Sequence, residues 1–365
     1  MAETVSRYDP SRVSVAVLAS HSALDVLRGA RRYGFHTIAV ARRGRDLAYR
    51  MFPVVDELIV VDDYRELLEP RLQEMLLERN AVFIPNRSFA VYVGYDGIEE
   101  RFAVPIYGNR FLLRWEERTG EKNYYRLLDE AGIRRPRLYR SLEEARGPVI
   151  VKLPEARRRV ERAFFVAASG EEARERLRRM MEEGLVDEES LRGMVVEEYV
   201  AGAHFNLNFF ASRLYNRVEL HSIDRRLQTN IDDLNRLPAW VQEPLRGAVE
   251  PRMIEVGHIP ATLRESLLHK AFEAGLRFAE AAARLEPPGV IGPYTLQALV
   301  TPELELVVYD VAPRIGGGTN AVMAWGGQYS SLYFGKPLSL GERIAHELRM
   351  LLDRGGPRAL GEVVT

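Results

Sequence analysis

The sequence predicts an α/β domain with a parallel sheet, followed by α+β domains. Short apolar runs alternate with helical patterns over residues 13–84, and this alternation is typical of parallel strands joined by crossover helices. From residue 148 onward, neighbouring strand patterns joined by turns become more frequent. The length of 365 residues fits two or three domains, and a hydrophobic content of 46% is sufficient for their cores.

The composition excludes several classes of protein. The chain contains no cysteine, which excludes disulfides, thiolate zinc sites and cysteine nucleophiles. A net charge of −1 gives no overall field that would attract nucleic acid or an anionic membrane. No segment approaches 18 consecutive apolar residues, and residues 1–12 lack the apolar core of a secretory signal. We therefore expect a cytoplasmic protein that binds neither nucleic acid nor membranes.

The first domain is predicted to be Rossmann-like. Its predicted strands cover residues 13–19, 36–41, 57–61 and 81–84, and its predicted helices cover residues 23–33 and 65–77. No G-x-G-x-x-G motif follows the first strand, so the usual dinucleotide fingerprint is missing. The sequence SHSALD occupies that turn instead. Its serines either cap the following helix, which is the commoner use, or expose amides that receive a phosphate.

Polar residues follow the first and fourth predicted strands. His21 comes directly after the first strand, and Ser88 follows the fourth in the motif IPNRSF. Ligands bind at the carboxyl ends of the strands in open parallel sheets, so both side chains are expected on one rim. Local packing of His21 at the start of a helix is the alternative.

The middle of the chain contains a lysine within an apolar strand. Residues 114–133 predict an amphipathic helix, and residues 148–154 (PVIVKLP) predict a strand that contains Lys152. Only four lysines occur beside 47 arginines, so each lysine is of interest. Lys152 either extends from an edge strand or points into a site that matches its charge. The following basic residues, including Arg157 and Arg159, form either a solvated hairpin or a clamp for phosphate oxygens.

Three further segments carry candidate binding residues. Residues 194–200 contain EEYV, which is either an ordinary strand end or a hinge whose backbone pairs with a base. Residues 205–212 alternate polar and apolar side chains, as a half-buried strand does. In residues 218–239 a strand is predicted to end in a polar loop, where Arg225, Arg226 and Asn230 are either solvated or hold an anion. A helix is predicted from about Thr262 to residue 285, with Thr262 as its cap.

The segment 292–320 combines two strands with a glycine-rich loop. The runs 295–300 and 305–311 flank a Thr-Pro-Glu turn, and the sequence PRIGGGTN follows. If the strands pair, Gln297 and Asp310 come close on one face of the sheet. An amide oxygen and a carboxylate beside such a loop suit a Mg²⁺ ion that also holds nucleotide phosphates. A solvated hairpin with a flexible loop is the alternative.

These motifs, in this order, resemble the archaeal 5-formaminoimidazole-4-carboxamide ribonucleotide (FAICAR) synthetase family of the ATP-grasp superfamily. The resemblance extends from about residue 13 to 350 and includes SHSALD, IPNRSF, GPVIVKLP, EEYVAGAHFN, SIDRRLQTNID and YDVAPRIGGGTN. It implies a Rossmann-like N-terminal domain followed by an ATP-grasp fold. The implied ranges are 1–115, 116–202 for the small ATP-grasp subdomain, and 203–365 for the C-terminal subdomain.

The resemblance also implies an activity. The family uses ATP and formate to formylate 5-aminoimidazole-4-carboxamide ribonucleotide (AICAR) through formyl phosphate, in purine biosynthesis. Mg²⁺ or Mn²⁺ is the implied metal, and a homo-oligomer is the implied assembly. Two alternatives are a paralogous ATP-grasp ligase that joins another acid and amine, and a nucleotide-binding protein without turnover.

Site residues follow from the matched positions. The implied substrate-binding residues are His21, Ser22, Ser88, Arg225 and Asn230, and the implied ATP-binding residues are Lys122, Lys152, Glu197, Glu198, Val200 and His204. The candidate lid and catalytic residues are Arg157, Arg159 and Arg314, and the candidate metal ligands are Gln297 and Asp310. The chain departs from the family pattern on its last strand. ATP-grasp enzymes generally carry Glu and then Asn two residues later, whereas this chain has Asp310 and Ala312.

Overall fold

The described part of the chain forms three sheets. The computed structural model describes residues 1–153, 164–249 and 251–365. In the described residues, two sheets have four strands and one has five. The sheets lie within the predicted ranges 1–115, 116–202 and 203–365, and the domain boundaries themselves remain predictions. In the described part of the chain, no helix is long and apolar enough to cross a membrane.

The first sheet is parallel, with the strand order β3–β2–β1–β4. Its strands are β1 (Ser14–Leu18), β2 (His36–Arg42), β3 (Glu57–Val61) and β4 (Ala81–Ile84), and its helices are α1 (Ala2–Ser6), α2 (Ala23–Arg32), α3 (Leu47–Met51), α4 (Pro70–Glu78) and α5 (Arg87–Val93). The four predicted strands are confirmed. The single helix predicted over 65–77 is wrong, because Pro70 starts a new helix after a 3₁₀ turn at Tyr64–Leu68.

The second sheet is antiparallel, with the order β5–β8–β6–β7. Its elements are α6 (Tyr124–Glu130), β5 (Leu138–Tyr139), β6 (Val149–Lys152), β7 (Phe164–Ala167), α7 (Gly170–Glu182), α8 (Glu188–Arg192) and β8 (Val195–Glu198). The continuous helix predicted over 114–133 is wrong. A 3₁₀ helix ends at Glu116, Gly120 takes a left-handed conformation, and Asn123 caps α6 by accepting a hydrogen bond from the Arg126 amide.

The third sheet has the order β11–β10–β9–β12–β13 and is antiparallel throughout. Its strands are β9 (Ala203–Ser212), β10 (Arg217–Asn230), β11 (Met253–Pro260), β12 (Gly292–Val300) and β13 (Leu306–Ala312). Its helices are α9 (Ile231–Leu234), α10 (Ala239–Leu245), α11 (Leu268–Leu285), α12 (Ser330–Phe334) and α13 (Leu340–Gly355). The aromatic rings of Phe209, Tyr294 and Phe278 stack between this sheet and α11.

Two predictions in this part of the chain are wrong. Arg225, Arg226 and Asn230 lie on β10 and not in a loop, because β11 pairs with β10 as far as Asn230. Thr262 does not cap a helix, since α11 begins only at Leu268. The amide of Ala261 still donates to the carbonyl of Ile223, so the chain follows β10 beyond the predicted start of the helix.

The last helix packs on the first domain. An ideal Cβ on Gly29 of α2 would lie 2.2 Å from the carbonyl carbon of Gly341 in α13, so the two backbones are in contact. The Gly341 amide donates to Asp25 Oδ2 at 2.9 Å. Ile344 and Leu348 join Val15 and Val17 in one hydrophobic cluster. The chain therefore leaves the first domain, builds the other two sheets and returns.

Candidate active site

A cavity of about 570 Å³ lies where the three sheets meet. Its walls are contributed by every part of the fold. The residues that matter below are His21, Arg87, Glu116, Lys152, Glu197, Glu198, Val200, His204, Arg225, Arg226, Glu255, His258, Gln297, Asp310, Arg314 and Gly316–Gly318. Most of the residues predicted to bind ATP, substrate or metal therefore line one cavity.

A row of polar side chains crosses the third sheet and forms the floor. Asp310 pairs with Gln297, Gln297 pairs with Asn206, and Asn206 pairs with Asp224. Residues directly opposite one another in an antiparallel sheet point to the same face, so the four side chains form one line. With a strand spacing of about 4.8 Å, the line from Asp310 to Asp224 spans roughly 14 Å.

One end of this row has an unsatisfied oxygen. Gln297 is buried, and its Oε1 accepts no hydrogen bond from the described residues. Asp310 lies opposite on β13, and its Oδ1 accepts from the Val311 amide at 3.0 Å. Two adjacent oxygen donors, one of them buried and unpartnered, fit a divalent cation that keeps waters and phosphate oxygens as its other ligands. In the described residues no cluster of three or more His, Cys, Asp or Glu could hold a metal without such help.

Lys152 points into the cavity wall and its charge is matched there. It is 6% exposed, and its Nζ lies 2.5 Å from Glu197 Oε1 and 3.2 Å from the Tyr124 hydroxyl. Burial lowers the pKa of Lys152, but the neighbouring Tyr124 hydroxyl and Glu197 carboxylate outweigh burial and the pKa is raised. The lysine is therefore a fixed cation. An extension of Lys152 from a strand edge into solvent is excluded by its burial.

The residues of the EEYV motif take different positions. Glu197 is buried, and its side chain holds Lys152 and accepts a hydrogen bond from the Tyr125 hydroxyl. Glu198 and Val200 line the cavity at the end of β8, and Phe164 of β7 lines it as well. His204 also lines the cavity. Its ring makes an edge-to-face contact with Tyr309, with the ring centroids 5.2 Å apart. This arrangement is compatible with a hinge for a nucleotide base.

One side of the cavity is lined by Arg314 of the glycine-rich loop (residues 313–318), together with Arg87 and His21. Arg314 is 7% exposed and donates to both carboxylate oxygens of Glu116, at 2.5 and 3.2 Å. Arg87 Nη1 lies 3.4 Å from the same carboxylate. Burial, and next the charge of Arg314, lower the pKa of His21, so its imidazole is neutral near pH 7. The two guanidinium groups share one carboxylate, and such a pair suits an anionic ligand.

The other end of the polar row holds a charged cluster that sequence reasoning missed. Asp224 accepts from Asn206 and Asn208, each at 2.7 Å, and lies 2.6 Å from His258 Nδ1. His258 Nε2 lies 2.9 Å from Glu255 Oε1. Burial lowers the pKa of His258, but hydrogen bonds to the two carboxylates outweigh burial and raise the pKa to about 9. His258 is therefore an imidazolium between two carboxylates near neutral pH.

Several predicted residues are placed outside the cavity wall. Ser22, Ser88, Lys122 and Asn230 are not among the described residues that line the cavity. Ser22 donates to the Gly316 carbonyl, and Ser88 Oγ donates to Ser20 Oγ at 2.7 Å, so both serines hold the rim. Lys122 Nζ pairs with Glu286 at 2.5 Å. Asn230 Oδ1 accepts from the Arg252 amide at 2.8 Å. Arg157 and Arg159 lie outside the described residues, and the proposed lid is untested.

The chain is similar to known proteins over nearly its whole length. A family model described as "Domain of unknown function (DUF1297)" matches residues 172–365, and one described as "Protein of unknown function (DUF1246)" matches residues 15–139. The chain is 41% identical to a 5-formaminoimidazole-4-carboxamide-1-(beta)-D-ribofuranosyl 5'-monophosphate synthetase of Methanocaldococcus jannaschii, over 96% of this chain and 95% of the relative. A synthetase of the same name from Methanopyrus kandleri is 43% identical, over 97% and 96%.

The chain belongs to this synthetase family. A solved structure of an IMP biosynthesis protein PurP from Thermococcus kodakaraensis has a TM-score of 0.72 and 30% identity, and the match covers 96% of this chain and 100% of that one. A biotin carboxylase from Campylobacter jejuni, solved as a β,γ-ATP complex, has a TM-score of 0.60 at 15% identity, over 92% of this chain and 71% of that one. The second likeness concerns the fold alone, which is the ATP-grasp fold in both proteins.

Proposed function

We propose that the protein catalyses the ATP- and formate-dependent formylation of AICAR to FAICAR, in IMP biosynthesis. The observation that carries this proposal is the convergence of Lys152, the end of β8, the Gln297–Asp310 pair and Arg314 on one cavity. A synthetase of this kind needs a hinge that holds the nucleotide base and a cation that neutralises phosphate charge. It also needs a metal site and a site for the anionic substrate. Membership of the synthetase family supports the choice of substrates.

In the first step, a formate oxygen attacks the γ-phosphorus of ATP. A P–O bond forms, the bond to the bridging oxygen breaks, and ADP leaves with the electron pair, so that formyl phosphate results. Phosphoryl transfer depends mainly on positioning and on neutralisation of charge. Lys152 supplies a fixed cation whose position is set by Glu197 and Tyr124. We assign the formate and the transferred phosphoryl group to Arg314 and Arg87, which share the carboxylate of Glu116.

Gln297 and Asp310 would hold the divalent metal, either Mg²⁺ or Mn²⁺. Such an ion neutralises phosphate charge when it is bound. The buried, unpartnered Oε1 of Gln297 and the carboxylate of Asp310 are suitable hard donors. Ala312 carries no donor, so the remaining ligands in this proposal are waters and phosphate oxygens. Asp310 is thus the only charged protein ligand of the pair.

In the second step, the 5-amino group of AICAR attacks the formyl carbon and phosphate leaves. We place the ribonucleotide beside His21, at the rim that Ser22 and Ser88 support. Lys122, Asn230 and the arginines at 157 and 159 stay candidates for nucleotide binding and for closure. Assembly into a homo-oligomer in the cytoplasm is part of the same expectation from the family.

A second candidate function is nucleotide binding without turnover. Ala312 favours it, because the position lines the cavity next to the proposed metal and offers no ligand. The Lys152–Glu197 pair and the open oxygen of Gln297 favour catalysis, since a protein without phosphoryl transfer has little need of either.

An assay of ADP release separates these functions. ATP and Mg²⁺ are supplied with formate and AICAR, singly and together. Release that requires both compounds, with formation of FAICAR, is the expected result. Release with other acids or amines only would identify a paralogous ligase. Measurable ATP binding without release under any condition would favour the second candidate and contradict the proposal.

A further inference from the structure

The space beside Gly317 is bounded by three ionisable side chains. An ideal Cβ on Gly317 would lie 3.4 Å from Glu255 Oε1, 3.6 Å from His21 Nδ1 and 3.7 Å from His258 Nε2. These are ordinary contact distances, so a small group fits at this point without displacing any atom. The neighbouring glycines differ. A Cβ on Gly318 would lie 2.4 Å from Asp224 Oδ2, and one on Gly316 would lie 2.6 Å from Thr295 Oγ1.

The position of this space fits the second substrate. Glu255 and His258 lie on β11, at the opposite edge of the sheet from Asp310 on β13. Nucleotide phosphates bound near Gln297 and Asp310 would therefore end before they reach β11. The second substrate attacks formyl phosphate from the side away from the nucleotide. On that side it would enter the space between β11, His21 and the glycine-rich loop. This assignment rests on the proposed function.

We propose that Glu255 is the base that accepts the proton of the attacking amine, and that His258 and Asp224 position it. The nitrogen lone pair forms the C–N bond to the formyl carbon, the C–O bond to phosphate breaks, and phosphate leaves with that electron pair. The proton released from the nitrogen goes to a carboxylate oxygen of Glu255 and then to water. The nitrogen becomes positively charged as it bonds, so its proton is acidic and a weak base is sufficient.

The other two members of the cluster cannot take this role. His258 has a pKa of about 9, so it already carries its proton near neutral pH. Asp224 is 1% exposed, accepts three hydrogen bonds and is not among the described residues that line the cavity. Glu255 does line the cavity, and His258 and Arg226 hold it from two sides, at 2.9 and 2.8 Å. Its carboxylate is thus held in place at the cavity wall, beside the space at Gly317.

His21 is the rival base, because its imidazole is neutral near pH 7. The two assignments are separable by substitution. Glu255→Gln keeps the size and the hydrogen-bonding capacity of the side chain but removes its basicity. His21→Asn does the same for one ring nitrogen. Glu303→Gln, in the exposed turn between β12 and β13, is the matched control for a lost carboxylate.

The test is a single-turnover experiment with enzyme, ATP, Mg²⁺, formate and AICAR. Samples are quenched into hydroxylamine, which converts formyl phosphate to a hydroxamate, and FAICAR is measured in parallel. For Glu255→Gln we expect FAICAR formation to slow by about 100-fold, the lower range for a lost general base. Formyl phosphate should still form at the wild-type rate and accumulate. The Glu303→Gln control should match the wild type in both measurements.

Gly317→Ala gives an independent test. The methyl group would occupy the space bounded by Glu255, His21 and His258, and the backbone at Gly317 does not require glycine. We expect the same pattern: formyl phosphate accumulates, FAICAR formation falls at least about 10-fold, and the melting temperature is unchanged. His258→Gln should give a weaker form of the pattern, because it misplaces Glu255 without removing the base.

Three outcomes would overturn the proposal. The first is wild-type FAICAR formation in Glu255→Gln. The second is equal loss of formyl phosphate and FAICAR, which would place Glu255 in formate activation or in folding. The third is accumulation of formyl phosphate in His21→Asn but not in Glu255→Gln, which would make His21 the base. Failure of the wild type to form FAICAR at all would instead contradict the proposed function.

Discussion

The two ends of the polar row on the third sheet differ in how their hydrogen bonds are satisfied. At the Asp310 end, Gln297 Oε1 is buried and accepts nothing from the described residues. At the Asp224 end, the carboxylate accepts three hydrogen bonds and is enclosed. A buried polar atom without a partner costs free energy, so the first end is complete only with a ligand. The second end is complete by itself and holds a base in place.

The largest effect of a substitution on turnover is expected at Asp310. We expect Asp310→Asn to lower turnover by about 1,000-fold or more, the upper end of the cost of removing one electrostatic contact. The melting temperature should hardly change, since Asn can still accept from the Val311 amide. Steady-state ADP release and thermal unfolding measure the two quantities. Undiminished activity would remove Asp310 from the mechanism.

The opposite behaviour is expected at Asp224. Asp224→Ala would remove one hydrogen-bond partner each from Asn206, Asn208 and the His258 imidazolium. Removing one partner of a buried charged network costs about 3–5 kcal/mol of unfolding free energy. Denaturant unfolding measures this loss, with Asp62→Ala as a control, because Asp62 pairs only at the exposed surface. Equal stability of the two variants would show that the Asp224 end is not a structural network.

Gln297 should affect activity without affecting stability. Gln297→Leu removes the unpartnered oxygen and keeps a similar volume, so the unfolding free energy should stay the same or rise slightly. The apparent affinity for Mg²⁺ in the ADP-release assay should fall by about 10- to 100-fold. A marked fall in melting temperature would contradict the idea that this end of the row awaits a ligand.

The smallest effect concerns pH. The pKa of His258 is raised to about 9 in the folded protein, against 6.5 for an ordinary histidine. A raised pKa stabilises the fold fully below pH 6.5, and that stabilisation is lost as pH rises through about 9. The difference in melting temperature between the wild type and His258→Gln should therefore shrink between pH 6.5 and 9. A constant difference over this range would mean that His258 is not protonated in the fold.

Much of the fold could be predicted because its strands are apolar and bounded by turn residues. The four strands of the first sheet and the pairing of Gln297 with Asp310 follow from such patterns. The lengths of the helices are harder to predict than the positions of the strands. Residues 114–133 have helical periodicity, but the break depends on Gly120 and the Asn123 cap, which interrupt the pattern only locally.

The strand β11 and its cluster could not be predicted for a different reason. Gly257 and Pro260 weaken a strand pattern, and here they are tolerated because β11 lies at the edge of the sheet. Without β11 as a pairing partner, the charged residues of β10 predict a polar loop. The sequence around Glu255 and His258 predicts no role for either side chain. Only the alternation of Asn206 and Asn208 in FNLN indicated that one face of the sheet is polar.

The contact between α2 and α13 has a consequence for folding during protein synthesis. The Gly341 amide and the Asp25 carboxylate are 316 residues apart in the chain. Ile344, Leu348 and Leu351 complete the core around β1 and α2, so that core is unfinished until α13 has left the ribosome. Contacts this distant in sequence close slowly. The nascent first domain should therefore expose its α2 face throughout translation, and it should be the part of the chain that most needs a chaperone.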